Sequence, residues 1–131
     1  MREADVKPTV LIVDEDLGFV CSLGEILSNQ GFQTIPALDS RSAMAIVEEL
    51  NRQVNLVIVD PALPGVLEMT EVLSRRDRSL KIVAIADPGK AVPGAIHVHA
   101  TLERPSGSGL ALRQECLRSV RRALKNLGIA A

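Results

Sequence analysis

Val10-Leu11-Ile12-Val13-Asp14-Glu15-Asp16 decides the fold of this 131-residue chain. Four aliphatic residues in a row end at three acids. A run that is apolar at every position, rather than at alternate ones, suits a strand covered on both faces, as in a parallel sheet. The pattern returns at Asn55-Leu56-Val57-Ile58-Val59-Asp60, again closed by a carboxylate, and at Lys81-Ile82-Val83-Ala84-Ile85-Ala86. Between the first two runs, Phe19, Val20, Leu23, Ile26 and Leu27 recur at helical spacing. They predict a helix over Leu17–Gln30 with Gly31 as its stop. Phe32-Gln33-Thr34-Ile35 alternates and reads as a second strand closed by Pro36. Asp39 or Ser40 can cap a second helix that turns Ala43, Ile46, Val47 and Leu50 inward.

Past Asp60, the stretch Pro61-Ala62-Leu63-Pro64-Gly65 is a loop by its prolines and glycine, and a third helix follows over Val66–Arg76. Ile96, Val98, Ala100 and Leu102 alternate in a fifth strand that ends near Arg104-Pro105. Ser106-Gly107-Ser108-Gly109 then leads into a last helix from about Leu110 to Leu127, with Leu110, Leu117, Val120, Leu124 and Leu127 facing inward. Only a short link, holding Pro88, Gly89, Pro93 and Gly94, joins Ala86 to Ile96. A crossover with its helix needs at least about 10–12 residues, so the fourth crossover helix is expected to be one turn or absent. Strands and helices in alternation give a doubly wound α/β fold with right-handed crossovers. For five strands the expected solution is a flavodoxin-like parallel sheet of order 2-1-3-4-5, whose binding crevice lies at the carboxyl ends of strands 1 and 3.

Length fits one domain over residues 1–131, with its core at about 8–127. Two cysteines, Cys21 and Cys116, give no disulfide framework and read as small apolar residues on inner helix faces. No apolar run reaches the ~18 residues of a membrane span, and the first residues lack a signal peptide's apolar stretch. The expected location is therefore cytoplasmic. Phe19 and Phe32 are the only aromatic side chains apart from two histidines, which leaves no platform for stacking bases. The formal net charge of −1 gives no general basicity for nucleic acid either. Charge is unevenly spread, however. Residues 104–131 carry Arg104, Arg113, Arg118, Arg121, Arg122 and Lys125 against the single acid Glu115. This end is a solvated helix face or a docking surface for an acidic partner or adjoining domain. The apolar repeat of the last helix serves the core and leaves room for a homodimer seam. His97 and His99 lie on one face of the fifth strand and read as a polar surface stretch.

The predicted crevice gathers Asp14, Glu15 and Asp60. Carboxylates crowded together repel one another, and burial raises the cost. A divalent cation resolves the conflict, and hard oxygen donors with room for water suit Mg2+. A carboxylate beside such an ion can act as a nucleophile towards phosphorus. Asp60, alone on the central strand, is the candidate.

These residues give the chain a resemblance to the receiver domain of two-component response regulators, spanning roughly residues 8–127. Val10–Asp16 resembles that family's first strand and acidic pair. Asn55–Gly65 resembles its phosphoacceptor strand and following loop, and Arg104-Pro105 stands where the family has Lys-Pro. The resemblance implies that Asp60 accepts a phosphoryl group from a histidine kinase or phosphotransfer protein. It implies that Mg2+ is held by Asp14, Glu15, Asp60 and the backbone carbonyl of Ala62. It also implies that Arg104 neutralises the phosphate and that the bond before Pro105 is cis. An effector domain or protein would take the output. No enzymatic activity is expected beyond self-phosphorylation and its reversal.

Four departures from the family pattern bear on that function. Ala86 stands where the family has a Ser or Thr hydroxyl for the phosphoryl oxygen. A lost hydrogen bond to a charged acceptor is worth about 1.5–3 kcal/mol. Thr101 stands where the family has its switch aromatic, and Asp87 adds a negative charge beside Ala86. An arginine fork is not a conservative replacement for a compact ammonium, and Arg104 could pair with Asp60 in the absence of phosphate. The sequence therefore points to an atypical receiver whose switch is impaired. The alternative is a phosphorylation-independent interaction module of the same fold, its acids neutralised by Arg104. A Mg2+-dependent phosphoesterase shares the carboxylates but lacks an evident general acid or lid.

Overall fold

The computed structural model describes residues 7–51, 53–87, 97–105 and 109–128. In chain order the elements are β1 (Thr9–Val13), α1 (Leu17–Asn29), β2 (Gln33–Ala37), α2 (Ser40–Leu50), β3 (Leu56–Val59), α3 (Val66–Arg76), β4 (Lys81–Ala86), β5 (Ala100–Glu103) and α4 (Gly109–Asn126). Every strand pairing is parallel, and the sheet runs β2-β1-β3-β4-β5. This is the flavodoxin-like order expected from the sequence.

The pleat of β1 explains why its apolar run is unbroken. Val10 and Ile12 join Leu56, Ile58, Val83, Ile85 and Leu102 beneath α1 and α4. Leu11 and Val13 point the other way and join Val57, Val59 and Ile82 beneath α2 and α3. The four aliphatic residues of β1 are fully buried, and each such burial is worth about 1.5–3 kcal/mol. Register then positions the rim. Val13 lies opposite Val59 on one side and Ala37 on the other, so β1, β2 and β3 end level. Asp14 and Asp60 follow at neighbouring strand ends, and the Asp60 amide donates to the Val13 carbonyl at 2.9 Å.

Helix ends follow local chemistry. Asp16 caps α1 by accepting from the Phe19 amide at 3.1 Å, and Gly31 leaves the helix at φ +92°. Asp39, not Ser40, caps α2 by accepting from the Ser42 amide at 2.7 Å. That bond holds the Asp39 carboxyl below its ordinary range.

Several expectations are corrected. Pro36 lies inside β2 rather than closing it. An edge strand tolerates a residue without an N–H. The fifth strand begins at Ala100 and leaves out Val98, while Ile96 lies outside the described residues. His99 accounts for this start: its amide donates to the Ile82 carbonyl at 2.8 Å, and its ring Nδ1 accepts from the Ile82 amide at 3.0 Å. A side chain thus supplies the partner that a further strand residue would have provided. Leu110 is 71% exposed, and the inner face of α4 is Cys116, Val120, Ala123 and Leu124, with Leu117 and Leu127 partly buried against it. The repeat is thereby absorbed by the core. Leu50 and Cys21 are also exposed. Cys116 is buried as expected, which pushes its thiol up to about 11. Among the described residues there is no cis peptide bond, so Arg104–Pro105 is trans, the isomer favoured by about 0.5–1 kcal/mol before proline. The short or absent fourth crossover helix and the Ser106-Gly107-Ser108 lead-in lie outside the described residues.

Candidate functional site

The site is built at the carboxyl ends of β1, β3, β4 and β5, beside the β1–β3 border where the strand order reverses. Asp14 extends β1 by one residue, its amide donating to the Ala37 carbonyl at 3.2 Å. Its side chain is fully buried. A lone buried carboxylate would be prohibitively costly, so it must be paired and hydrogen-bonded. Both conditions are met. Oδ1 accepts from the Asp16 amide at 2.8 Å, and both oxygens accept from the Arg104 guanidinium.

Arg104 reaches them from the far side of the sheet. Its amide donates to the Ala86 carbonyl at 2.8 Å, adding one rung to the β4–β5 ladder. That rung carries the side chain over the rim. Nη2 donates to Asp14 Oδ2 at 2.7 Å and Nη1 to Oδ1 at 3.2 Å, a bidentate fork. Nε donates to Asp87 Oδ1 at 2.8 Å, and Nη2 also approaches Asp60 Oδ2 at 3.5 Å. Cζ lies 5.1 Å from the centroid of the Phe19 ring, a cation–π arrangement. The Asp14 hydrogen bonds foremost, and Asp87 after them, hold the guanidinium still further from deprotonation against the opposing effect of burial. Among the described residues no buried side-chain nitrogen or oxygen lacks a partner.

Asp60 is held differently. Its Oδ1 accepts from the Ala62 amide at 2.9 Å, a turn that fixes the start of the following loop. Among the described residues its Oδ2 has only the 3.5 Å approach of Arg104, at the limit of a useful hydrogen bond. The side chain is 17% exposed, against none for Asp14. Gly65 ends the loop at φ +78°, and a Cβ there would fall 2.5 Å from Ser40 Oγ. Ser40 Oγ in turn donates to the Pro64 carbonyl at 2.8 Å, which ties the loop to α2.

The structure brings Asp14, Asp60 and Arg104 together as the sequence indicated, and Asp87 joins them. Glu15 is exposed, and the carboxylates that meet Arg104 among the described residues are Asp14, Asp60 and Asp87. Among those residues no three His, Cys, Asp or Glu side chains are arranged to hold a metal ion. The cation between the acids is the guanidinium. Its Nη2 meets an oxygen of both Asp14 and Asp60, and carboxylate oxygens are hard donors of the kind that would suit Mg2+ if Arg104 withdrew. Ala86 is half-buried at the end of β4, and Thr101 is exposed on β5. The Phe19 contact was missed, although three residues after a capping Asp16 puts that ring in the first turn of α1. Behind Arg104, a depression of about 340 Å3 is lined by Glu103, Pro105, Glu115, Arg118, Ser119 and Arg122.

Comparison with known proteins agrees with this architecture. No family model matches the chain. It is 29% identical over 84 residues to sporulation initiation phosphotransferase F of Bacillus subtilis, covering 62% of this chain and 65% of that protein. The chemotaxis response regulator CheY4 of Vibrio cholerae superposes with a TM-score of 0.67 at 17% identity, over 91% of this chain and all of that one. NtrX of Brucella abortus, solved with ADP, gives 0.69 at 24% identity over 92% of this chain but 27% of its own. At these identities the superpositions speak to fold. With the sequence match, they bear out the likeness to response-regulator receiver domains. Among the described residues no helix is long and apolar enough to cross a membrane.

Proposed function

We propose that the chain is a cytoplasmic signal-transduction receiver that accepts a phosphoryl group on Asp60 from a histidine kinase or phosphotransfer protein. The observation that carries this reading is the asymmetry of the two central carboxylates. Asp14 is buried and committed through both oxygens, whereas Asp60 is partly open and keeps Oδ2 almost unengaged. A nucleophile needs a free lone pair and an approach from solvent, and Asp60 offers both. In the transfer, an Asp60 oxygen attacks phosphorus as the donor's bond to phosphorus breaks, and the donor atom keeps the electron pair. Asp14, Glu15, Asp60 and the Ala62 carbonyl would hold Mg2+ after Arg104 lets go of Asp14. Bound there, that ion would offset the charge of the phosphoryl oxygens. Arg104, freed from Asp14, would remain close enough to Asp60 to neutralise the phosphoryl group.

Readout is impaired in this proposal. Ala86 offers no hydroxyl to the phosphoryl oxygen, and Thr101 is no aromatic switch. A ligand shifts a conformational equilibrium only through contacts that differ between the two states. The output partner, an effector domain or separate protein, would dock on the basic face of α4. Arg118 and Arg122 stand one turn apart there beside Arg104.

Incubation of the protein with Mg2+ and a small phosphodonor tests the function by intact mass. The expected product carries one added phosphoryl group in the wild type and none in Asp60→Asn. An unmodified wild type would overturn phosphoacceptance. It would favour the second reading, a phosphorylation-independent interaction module, which the already neutralised Asp14 supports. In that case Asp60→Asn would bind its partner as the wild type does.

A further inference from the structure

The rim presents acids that converge on one place, and that place already holds a cation. Arg104 Nη2 lies 2.7 Å from Asp14 Oδ2 and 3.5 Å from Asp60 Oδ2. A metal bridging the same two carboxylates would need those same lone pairs. Two cations cannot share them, because each would displace the other's hydrogen bonds or coordination and like charges would be forced together. We propose that the site takes one cation at a time and that Arg104 is its resident one, so a divalent ion enters only by displacing the guanidinium from Asp14. This inference rests on the reading of Asp14 and Asp60 as a cation site, and concerns what controls access to it.

Four tethers hold the resident in place. The bidentate fork on Asp14 is the strongest in geometry, since two parallel charge-assisted bonds fix both position and plane. Asp87 holds Nε at 2.8 Å and is the one carboxylate of the set that has no part in the proposed metal site. Phe19 supplies a flat apolar face, 5.1 Å from Cζ. Asp60 contributes least. A lysine could not replace this arrangement, since a single ammonium cannot fork on Asp14 and reach Asp87 from a second edge. Displacement is therefore a discrete event: the guanidinium must swing off Asp14 as a unit. The apparent affinity for a divalent ion falls by the fraction of molecules in which Arg104 has left.

Titration with Mg2+ alone, followed by calorimetry and by the shift in melting temperature, separates the possibilities. The proteins are the wild type, Asp87→Ala and Arg104→Gln. Asp87→Ala loosens the resident without touching an expected metal ligand. Arg104→Gln removes it. The expected order of affinity is Arg104→Gln above Asp87→Ala above wild type, with Arg104→Gln at least roughly tenfold tighter than wild type, the factor following from release of the competing state. Melting temperature should rise with Mg2+ most in Arg104→Gln, because a ligand that binds only the folded state stabilises it. If Arg104→Gln binds Mg2+ no more tightly than the wild type, the proposal is overturned. Should that variant be unfolded without metal, Asp87→Ala decides: tighter binding than wild type supports the proposal, and equal binding overturns it. None of these readings involves phosphoryl transfer. Failure of Asp60 to accept a phosphoryl group and failure of Arg104 to compete with the ion are thus told apart.

Discussion

The two ends of the sheet solve the same problem in opposite ways. At the amino ends of the strands, polar groups are satisfied pair by pair. Asn55 Oδ1 accepts from the Thr9 amide at 2.8 Å, and the Asn55 amide donates to the Thr9 carbonyl at 2.9 Å. Asp77 accepts from Gln53 Nε2 at 2.9 Å and from the amide of Ser79 at 2.9 Å. Arg76 pairs with Glu48 on the surface. At the carboxyl ends, one arginine serves Asp14, Asp60 and Asp87 together. The first end is redundant, and losing one contact leaves the rest standing. The second is concentrated, so its charges can be rearranged by moving a single side chain. Polar groups shared in this way suit a site that must change, whereas groups satisfied separately suit a base that must not.

The contrast makes measurable demands. Arg104→Ala should cost most, about 3–5 kcal/mol, because it strands a fully buried carboxylate at Asp14. Urea denaturation at neutral pH measures this, and a loss under 1 kcal/mol, the range of exposed pairs, would mean the two ends are equivalent. Asn55→Ala probes the opposite end. It leaves the buried Thr9 amide without its side-chain acceptor, and the expected cost is about 1–3 kcal/mol in the same assay.

Asp77 gives the smallest effect and a pH signature. Hydrogen bonds from Ser79 foremost, and from Gln53, hold its carboxyl below the ordinary 3.8. A depressed carboxyl contributes stability that is complete above the unfolded value and fades as pH falls through the folded one. Wild type should therefore be more stable than Asp77→Asn at neutral pH, and the difference should close as pH drops below 3.8. Thermal melts across that range read the closing directly. A gap that stays constant down to low pH would assign the stabilisation to packing rather than to charge.

How much of this was legible depended on whether the controlling contact was local. Val10–Val13 and Leu56–Val59 announced buried parallel strands because burial on both faces leaves no polar position to break the run. Lys81–Ala86 did so for the same reason, and the 2-1-3-4-5 order followed from the alternation. Asp39 and Gly31 were legible because capping and helix termination act within a few residues. The start of β5 was not, since the His99 ring that replaces a rung looks in sequence like one more polar surface residue. Leu110 carries the apolar period of α4 beyond the point where the helix meets the core, so periodicity alone placed it inside. The acids of the rim could be named, but their partner geometry could not. Asp14 and Arg104 are 90 positions apart, and only the folded register shows that the fork closes on Asp14 rather than on Asp60.

The ring of His99 also has a consequence for the border between β4 and β5. A rung made of amides is indifferent to acidity, but this one uses a lone pair that a proton can take. Partial burial, then the charges of Lys81 and His97, hold His99 below its usual 6.5. The contact is therefore intact in neutral solution, and it gives way on acidification as Nδ1 changes from acceptor to donor. The margin of the sheet nearest the basic terminal helix thus carries a chemical hinge pin that loosens in acid.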